Sequence, residues 1–349
     1  MTTFPPTLPA PRTPPSDAAP PLRWGIMGTG WIAARFAGAL QRHTRQQVVA
    51  VGSRDARRSR AFAHGCGAAR AHGSYEELVA DAEVDVVYVA TEHPAHHPCA
   101  LLSLEAGKHT LVEKPIALDA AQAEEIAQAA ARRGVFCMEA LWTLFLPRFD
   151  VVRQILHAGV LGEVRTVHAD MGECFTAEHR IMRADLAGGP LLDLGTYPVT
   201  FATWVLGAPA QVLATGQPHP AGVNGQLAAI LSDADGNEAV LHTTIWSATP
   251  TTATVAGTEA TLTLPGPFYQ PGDVVLRRAA GGEALRWTEE PVAHEALHFE
   301  AAAVARCIAD GRVESPLRPL ADSVATMRVM DAIRRQVGIV FPGERRARA

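Results

Sequence analysis

Residues 23–33 read Arg-Trp-Gly-Ile-Met-Gly-Thr-Gly-Trp-Ile-Ala, and this stretch decides the fold. Arg23 to Met27 is a short apolar run of strand type. Gly28-Thr29-Gly30 is a turn, and Trp31 to Gln41 has the pattern of a helix. Working outward, Gln47 to Gly52 reads as a second strand and Ala56 to His64 as a helix. Asp85 to Ala90 is nearly unbroken in apolarity, as a parallel strand buried on both faces would be. Ala95 to Ala106 is a helix stopped at Gly107. His109 to Val112 is a strand, Ala120 to Arg133 a helix and Val135 to Met138 a strand. Strands alternating with helices over short links predict a doubly wound parallel α/β sheet across residues 22–146.

The rhythm changes after Pro147. A helix at Phe149 to His157 and a strand at Val164 to Met171 precede a helix at Thr196 to Leu206. Thr-rich strand patterns follow at Gln211 to Thr215, Leu227 to Ser232, Ala239 to Ile245, Thr252 to Val255, Ala260 to Leu264 and Val274 to Arg277. Gly, Pro and Asp turns separate them. Two helices, Glu295 to Asp310 and Ala321 to Val337, close the pattern. Residues 147–349 are therefore expected to form an α+β domain with a large, mostly antiparallel sheet. A length of 349 residues fits two such domains. Residues 1–21, rich in Pro and Ala, read as a disordered or extended leader outside the fold. They carry no apolar h-region of a signal peptide.

Composition narrows the function classes. A net charge of −5 leaves no basic field for nucleic acid or an anionic membrane, and the Arg54 to Arg60 and Arg345 to Arg348 clusters are short. No apolar run is long enough to span a bilayer. The five cysteines are odd in number, widely spaced and free of C-x-x-C pairs, which suits a reducing cytoplasm better than a disulfide or zinc framework.

Gly28-x-Gly30-x-x-Ala33 follows a strand and opens a helix, the context in which this spacing carries chemistry. The first Gly permits the turn, the second lets the backbone approach a pyrophosphate, and the small third residue lets helix and strand pack closely. The helix N-terminus then offers N–H groups to phosphate. Gly28, Thr29, Gly30, Trp31 and Ile32 are the expected contacts in this Rossmann-type turn. At the end of the second strand, an NAD site usually carries an acid for the ribose 2′-hydroxyl. This chain has Gly52-Ser53-Arg54 instead. A hydroxyl and a guanidinium favour a 2′-phosphate, hence NADP, with Arg57 or Arg58 adding to the field. The plainer alternative is a Ser N-cap with solvated arginines. Asp55, one residue beyond Arg54, keeps NAD open.

Glu113-Lys114-Pro115 ends another strand, where ligands collect in such sheets. A lysine there can stabilise developing negative charge. Leu111-Val112-Glu113-Lys114-Pro115, preceded by Glu105-Ala106-Gly107-Lys108-His109, resembles the signature of the Gfo/Idh/MocA oxidoreductase family. Met138-Glu139-Ala140-Leu141-Trp142-Thr143 with Phe145-Leu146-Pro147, and Gly188-Gly189-Pro190-Leu191-Leu192-Asp193-Leu194-Gly195-Thr196-Tyr197, resemble its branch of dimeric dihydrodiol dehydrogenases and NADP-dependent D-xylose dehydrogenases. The resemblance runs from about Arg23 to the C-terminal helix.

It implies three catalytic positions. Lys114 matches the lysine near the nicotinamide, Tyr197 the acid–base tyrosine, and Asp193 an aspartate that orients substrate or lysine. A phenol with pKa about 10 is a poor base at neutral pH, and a nearby ammonium favours its phenolate. Their four-residue spacing would put Asp193 and Tyr197 on one helix face, although Pro198 is comfortable only in a first helical turn. Thr91-Glu92-His93-Pro94-Ala95-His96-His97 has the composition of a metal cluster, but similar turns in the family border the cofactor. Thr91, His93, His96, Glu113 and Trp142 are therefore read as cofactor contacts, and no metal is expected. Glu92 has no assigned role. Leu144 stands where close relatives often carry Arg. Arg180 and Arg183 are either substrate contacts or solvated.

The resemblance implies NADP-linked, reversible hydride transfer at a hydroxyl carbon of an aldose or trans-dihydrodiol, in a cytoplasmic homodimer. Its rivals are an inositol or anhydrosugar dehydrogenase, disfavoured by Tyr197 where those branches carry His, and a non-catalytic NAD(P)-binding regulatory protein.

Overall fold

A computed structural model describes residues 4–344, so the Arg345 to Arg348 cluster lies outside the described residues. The chain divides into two compact units. The first comprises Pro14–Leu146 and Val292–Val324, and the second the remainder. Residues 292–324, expected in the second domain with everything after Leu146, belong with the first. A helix shows the same apolar periodicity whichever sheet it covers, so the sequence pattern does not reveal such a return.

The first unit runs β1 (Arg23–Met27), α1 (Trp31–His43), β2 (Gln47–Gly52), α2 (Ala56–Gly65), β3 (Arg70–His72), α3 (Tyr75–Ala80), β4 (Val86–Val89), α4 (His93–Glu105), β5 (His109–Glu113), α5 (Ala120–Arg133) and β6 (Cys137–Ala140). All pairings are parallel, in the order β3-β2-β1-β4-β5-β6. This is the doubly wound order, with its switch point between β1 and β4. Each residue of β4 is fully buried, as its unbroken apolarity requires. The three-residue β3 and the short α3 are additions to the sequence reading, too brief to show a period.

The second unit carries α6 (Pro147–His157), β7 (Val164–Gly172), α7 (Pro190–Asp193), α8 (Thr196–Leu206), β8 (Gln211–Pro218), β9 (Asn224–Ser232), β10 (Glu238–Thr244), β11 (Ala253–Gly257), β12 (Ala260–Leu264), β13 (Val274–Arg278) and β14 (Leu285–Trp287). Helix α9 (His298–Ala309) lies in the returning segment of the first unit. Helix α10 (Leu320–Gln336) begins there and is counted with the second unit from Ala325. The sheet order is β14-β13-β12-β11-β7-β10-β9-β8. Every pairing is antiparallel except β7 with β10. Helix α8 packs on β7 and β10, and α6 reaches β13. The strands alternate, burying Val167, Leu241, Val255 and Leu262 on the helix side. On the other face Leu213, Ile230 and Val240 stand exposed in one row across β8, β9 and β10.

From Phe4 onward the Pro-rich leader is mostly extended, with one helical turn at Ser16–Ala18, and is hydrogen-bonded into the fold; of its two readings, disordered or extended, the second holds, and its exclusion from the fold is corrected. Within the second unit, the Ala10 carbonyl accepts from Gln154 at 2.9 Å and the Arg12 amide donates to Asp150 at 2.6 Å. Within the first, Ser16 Oγ lies 2.8 Å from His298 Nδ1, and Ala19 is fully buried against Ala302 and Ala305 of α9. A Pro-rich chain is already stiff, so ordering it costs little entropy, and a few side-chain bonds to its carbonyls suffice.

Candidate active site

In the first unit the turn between β1 and α1 is shaped by two different needs. Gly28 has φ +109°, and a Cβ there would lie 2.4 Å from the Ala90 carbonyl oxygen. Its amide donates to Gly52 O across the sheet at 3.0 Å. Gly28 is therefore required by the fold itself. Gly30, with φ −81°, is under no such constraint, and a Cβ would meet nothing within 4 Å. It caps α1 without any side-chain bond, so the first helical N–H groups face outward unshielded. Ala33 is fully buried, as close helix–strand packing demands. An open cradle before a bare helix N-terminus fits a pyrophosphate, and these residues fit a dinucleotide.

The end of β2 corrects the reading of Ser53 as a helix cap and leaves the arginines exposed, as expected. Ser53 is buried and accepts from the Asp55 amide at 3.3 Å; it does not cap α2. Asp55 is the cap, accepting from Arg57 N at 2.8 Å and Arg58 N at 3.2 Å. Both bonds go to Oδ1 of Asp55. Arg54, Arg57 and Arg58 are exposed. Arg54 Nη2 lies 3.6 Å from Glu92 Oε2, which gives Glu92 a partner in the next loop.

That loop opens α4. His96 is buried, with Nδ1 2.7 Å from Pro115 O and Nε2 3.1 Å from Thr91 O, so it ties the ends of β4 and β5 together. His93 is buried beside it, and His97 pairs with Glu125 at 2.8 Å. Among the described residues no group of three or more His, Cys, Asp or Glu is placed to hold a metal.

Lys114 is half-buried at the end of β5, and its peptide to Pro115 is cis. Buried carboxylates fix its surroundings. Glu113 accepts from the Tyr88 hydroxyl and from the Lys114 amide. Glu139 of β6 accepts from Ile116 N at 3.0 Å, and its other oxygen takes Arg318 Nη2 at 2.6 Å and Ser323 Oγ at 2.8 Å. Glu300 of α9 is fully buried; burial, and then the charge of Glu113, raises its pKa well above the usual carboxylate range. His294, which the sequence reading missed, lies 4.7 Å from the Trp31 ring and 5.3 Å from that of buried Trp142. Burial, followed by the charges of Lys114 and Arg35, lowers its pKa to about 4, so the imidazole is neutral at pH 7. Trp31, by contrast, is largely exposed.

The second unit positions Asp193 and Tyr197. Gly188 and Gly189 are dictated by close approach: a Cβ at Gly188 would sit 2.4 Å from Ile181 O, and Gly189 has φ +97°. Asp193 ends α7, and Tyr197 is the second residue of α8. The helix is broken at Leu194-Gly195, so the two residues do not share one helix face as their spacing predicts. Pro198 lacks the N–H that would continue α7 and falls instead in the first turn of α8, where proline is tolerated. Arg180 Nη2 donates to Asp193 Oδ1 at 2.8 Å, whereas Arg183 pairs with Asp185 on the surface. Leu144 is buried.

Tyr197 is nearly buried and stacks on Tyr269, with ring centroids 4.4 Å apart and planes at 28°. No motif in the sequence marks Tyr269. Burial raises its pKa; Gln270, which bonds its hydroxyl, opposes this, and the charges of Glu173 and Asp193 add to it. The loop bearing Tyr269 is held from beneath by Arg148, a fully buried side chain of α6. Its Nη1 donates to the carbonyls of Pro267, Phe268 and Gln270, and its Nη2 to those of Pro265 and Asp273, all at 2.6–3.1 Å. Burial lowers the Arg148 pKa to about 10, so it stays charged at pH 7.

Comparison with known proteins assigns both units. Residues 22–141 match the Gfo/Idh/MocA oxidoreductase family model with an NAD-binding Rossmann fold, and residues 149–263 match that family's C-terminal domain. A trans-1,2-dihydrobenzene-1,2-diol dehydrogenase from Bos taurus is 36% identical over 336 residues, covering 93% of this chain and 99% of that one. The protein of the same name from Homo sapiens is 34% identical with the same coverage. A 3-ketoreductase from Actinomadura kijaniata, solved with NADP and TDP-benzene, matches at TM-score 0.81 and 29% identity, over 91% of this chain and 98% of that one. A levoglucosan dehydrogenase solved with NADH shares the fold at TM-score 0.81 and 18% identity, with the same coverage. With both units matched and a third of the residues identical to full-length dehydrogenases, this chain belongs to the Gfo/Idh/MocA family and is an NAD(P)-dependent oxidoreductase.

Proposed function

We propose that the protein is an NADP-dependent dehydrogenase that reversibly oxidises a hydroxyl on a cyclic substrate, a trans-dihydrodiol or an aldose such as xylose. Lys114, Asp193 and Tyr197 are its catalytic groups in this reading. The observation that carries it is the Tyr197–Tyr269 stack beside the Asp193–Arg180 pair. Aromatic faces suit the apolar side of a ring, and a carboxylate accepts hydrogen bonds from its hydroxyls. The relatives named as dihydrodiol dehydrogenases support the diol.

The nicotinamide would supply the hydride acceptor in oxidation and the donor in reduction. The chain's own residues hold and orient. Gly30 and the start of α1 receive the pyrophosphate. Ser53, Arg54 and Arg58 stand at the 2′-phosphate, with Asp55 committed to capping α2. Thr91, His93, His96, Glu113 and Trp142 form the remaining cofactor surface. Tyr197 holds the proton that the substrate hydroxyl gives up, and Lys114 steadies negative charge on the oxygen. The 3-ketoreductase bound to NADP, at 29% identity, supports the cofactor choice.

The exposed row of Leu213, Ile230 and Val240 fits a homodimer formed through this sheet face, and the mass in solution checks it. Among the described residues no helix is long and apolar enough to cross a membrane; a cytoplasmic location is part of the proposal.

The test is a spectrophotometric screen with NADP and NAD against trans-dihydrodiols, aldoses and inositols. Tyr197→Phe should lower kcat by roughly 10²–10⁴-fold while leaving the NADP Kd within about twofold. Silence across the panel with NADP still bound would favour the regulatory alternative.

A further inference from the structure

Glu92 stands outside the catalytic groups, and its neighbours define what it does. It is the residue before α4, yet its side chain makes no capping bond to that helix. Its carboxylate turns instead to Arg54, with Nη2–Oε2 at 3.6 Å, and both side chains are substantially exposed. Tyr75 joins them from the start of α3. Burial raises the pKa of its phenol most, and it feels Arg54 and Glu92 with opposite signs. Three side chains from three separate segments thus share one patch at the end of β2.

The other acid nearby is differently engaged. Asp55 gives its Oδ1 to two amides of α2. Glu92 is therefore the carboxylate that meets the Arg54 guanidinium, in the place where a 2′-phosphate would compete for the same donors. An exposed pair of this kind is weakly held and can exchange partners. It would also have to open, or carry two anions on one cation, when a phosphate arrives.

We propose that Glu92 is an internal counter-anion of Arg54 that competes with the cofactor 2′-phosphate and so sets the preference between NADP and NAD. This inference rests on the reading that Arg54 recognises the 2′-phosphate. NAD, which lacks that group, leaves the Arg54–Glu92 pair intact. Glu92 thereby narrows the gap between the two cofactors and keeps NAD usable.

The test is calorimetric titration of NADP and NAD into the full-length protein and its Glu92→Gln, Arg54→Gln and double variants. Glu92→Gln should tighten NADP by about 3- to 10-fold, less so at high salt, and leave NAD within about twofold. The gain should shrink in the Arg54→Gln background. Thermal melts check that each variant remains folded. If Arg54→Gln weakens NADP but Glu92→Gln does not tighten it, the inference fails while the cofactor reading stands. A gain of the same size without Arg54 also overturns it. If Arg54→Gln leaves NADP binding unchanged, the 2′-phosphate reading fails, and the inference with it.

Discussion

The turn between β1 and α1 and the loop from Pro265 to Asp273 solve one problem in opposite ways. Each must hold irregular backbone in a fixed shape beside a functional group. The turn does so by omission: Gly28 adopts φ +109° because no side chain stands there, and Gly30 leaves its flank open. The loop does so by supply: the two terminal nitrogens of one guanidinium, Arg148, collect five of its carbonyls. The first solution is local in sequence and the second is not, since Arg148 is 117–125 residues from its acceptors. Local shape is robust to change elsewhere; borrowed shape fails all at once when its donor is lost.

The largest effect is expected from Arg148→Met, which leaves five carbonyls without their donor in a half-buried loop. It should cost about 3–5 kcal/mol in urea unfolding and raise KM through the loosened Tyr269. Arg148→Lys, with three donors on one nitrogen, should fall between. An Arg148→Met protein as stable as the parent would show that the loop holds its own shape.

The two glycines give the next contrast, inside a single turn. Gly28→Ala forces a Cβ against Ala90 O at positive φ and should destabilise by roughly 2–4 kcal/mol. Gly30→Ala should leave the melting temperature unchanged or slightly raised, since its φ suits alanine. It should nevertheless weaken dinucleotide binding by roughly 100-fold, about 2.7 kcal/mol. Equal effects on folding and on binding at the two positions would erase the distinction between a glycine the fold needs and one the ligand needs.

Glu300 sharpens the comparison from a third side, as a buried group for which neither carboxylate oxygen has a hydrogen-bond partner among the described residues. Its pKa is raised, by burial first and Glu113 second. The native state therefore keeps a proton that the unfolded chain releases. Its contribution is complete below the ordinary carboxylate range and is lost as pH rises through the folded value, at up to about 1.4 kcal/mol per pH unit. Glu300→Gln should remove this dependence, so its melting temperature should exceed the parent's above neutrality and match it in acid. Parallel pH–stability curves would contradict the assignment.

These cases explain what could be read in the sequence. The β1–turn–α1 unit and the parallel sheet were legible because their elements are written in local patterns of apolar residues and glycine. Strands β3 and β14, three residues each, were too short for any period. The break at Gly195 was hinted at by Pro198 but masked by a spacing that mimics one helix. Arg148, Tyr269, His294 and Arg318 could not be found, because each acquires its role from partners far along the chain. The Asp55 cap was hidden by a neighbour: Ser53 is an equally good capping type, and only the backbone decided between them.

The return of residues 292–324 to the first unit also sets an order of events at the ribosome. Glu139 is synthesised 179 residues before Arg318, the cation that neutralises it in the folded core. At about 5–20 residues per second the nascent chain waits roughly 10–40 s for that counter-charge. Until then the parallel sheet is complete in strands yet lacks α9 and carries an uncompensated acid at β6. The amino-terminal half of this protein therefore emerges first and finishes late, a window in which a chaperone would find it open.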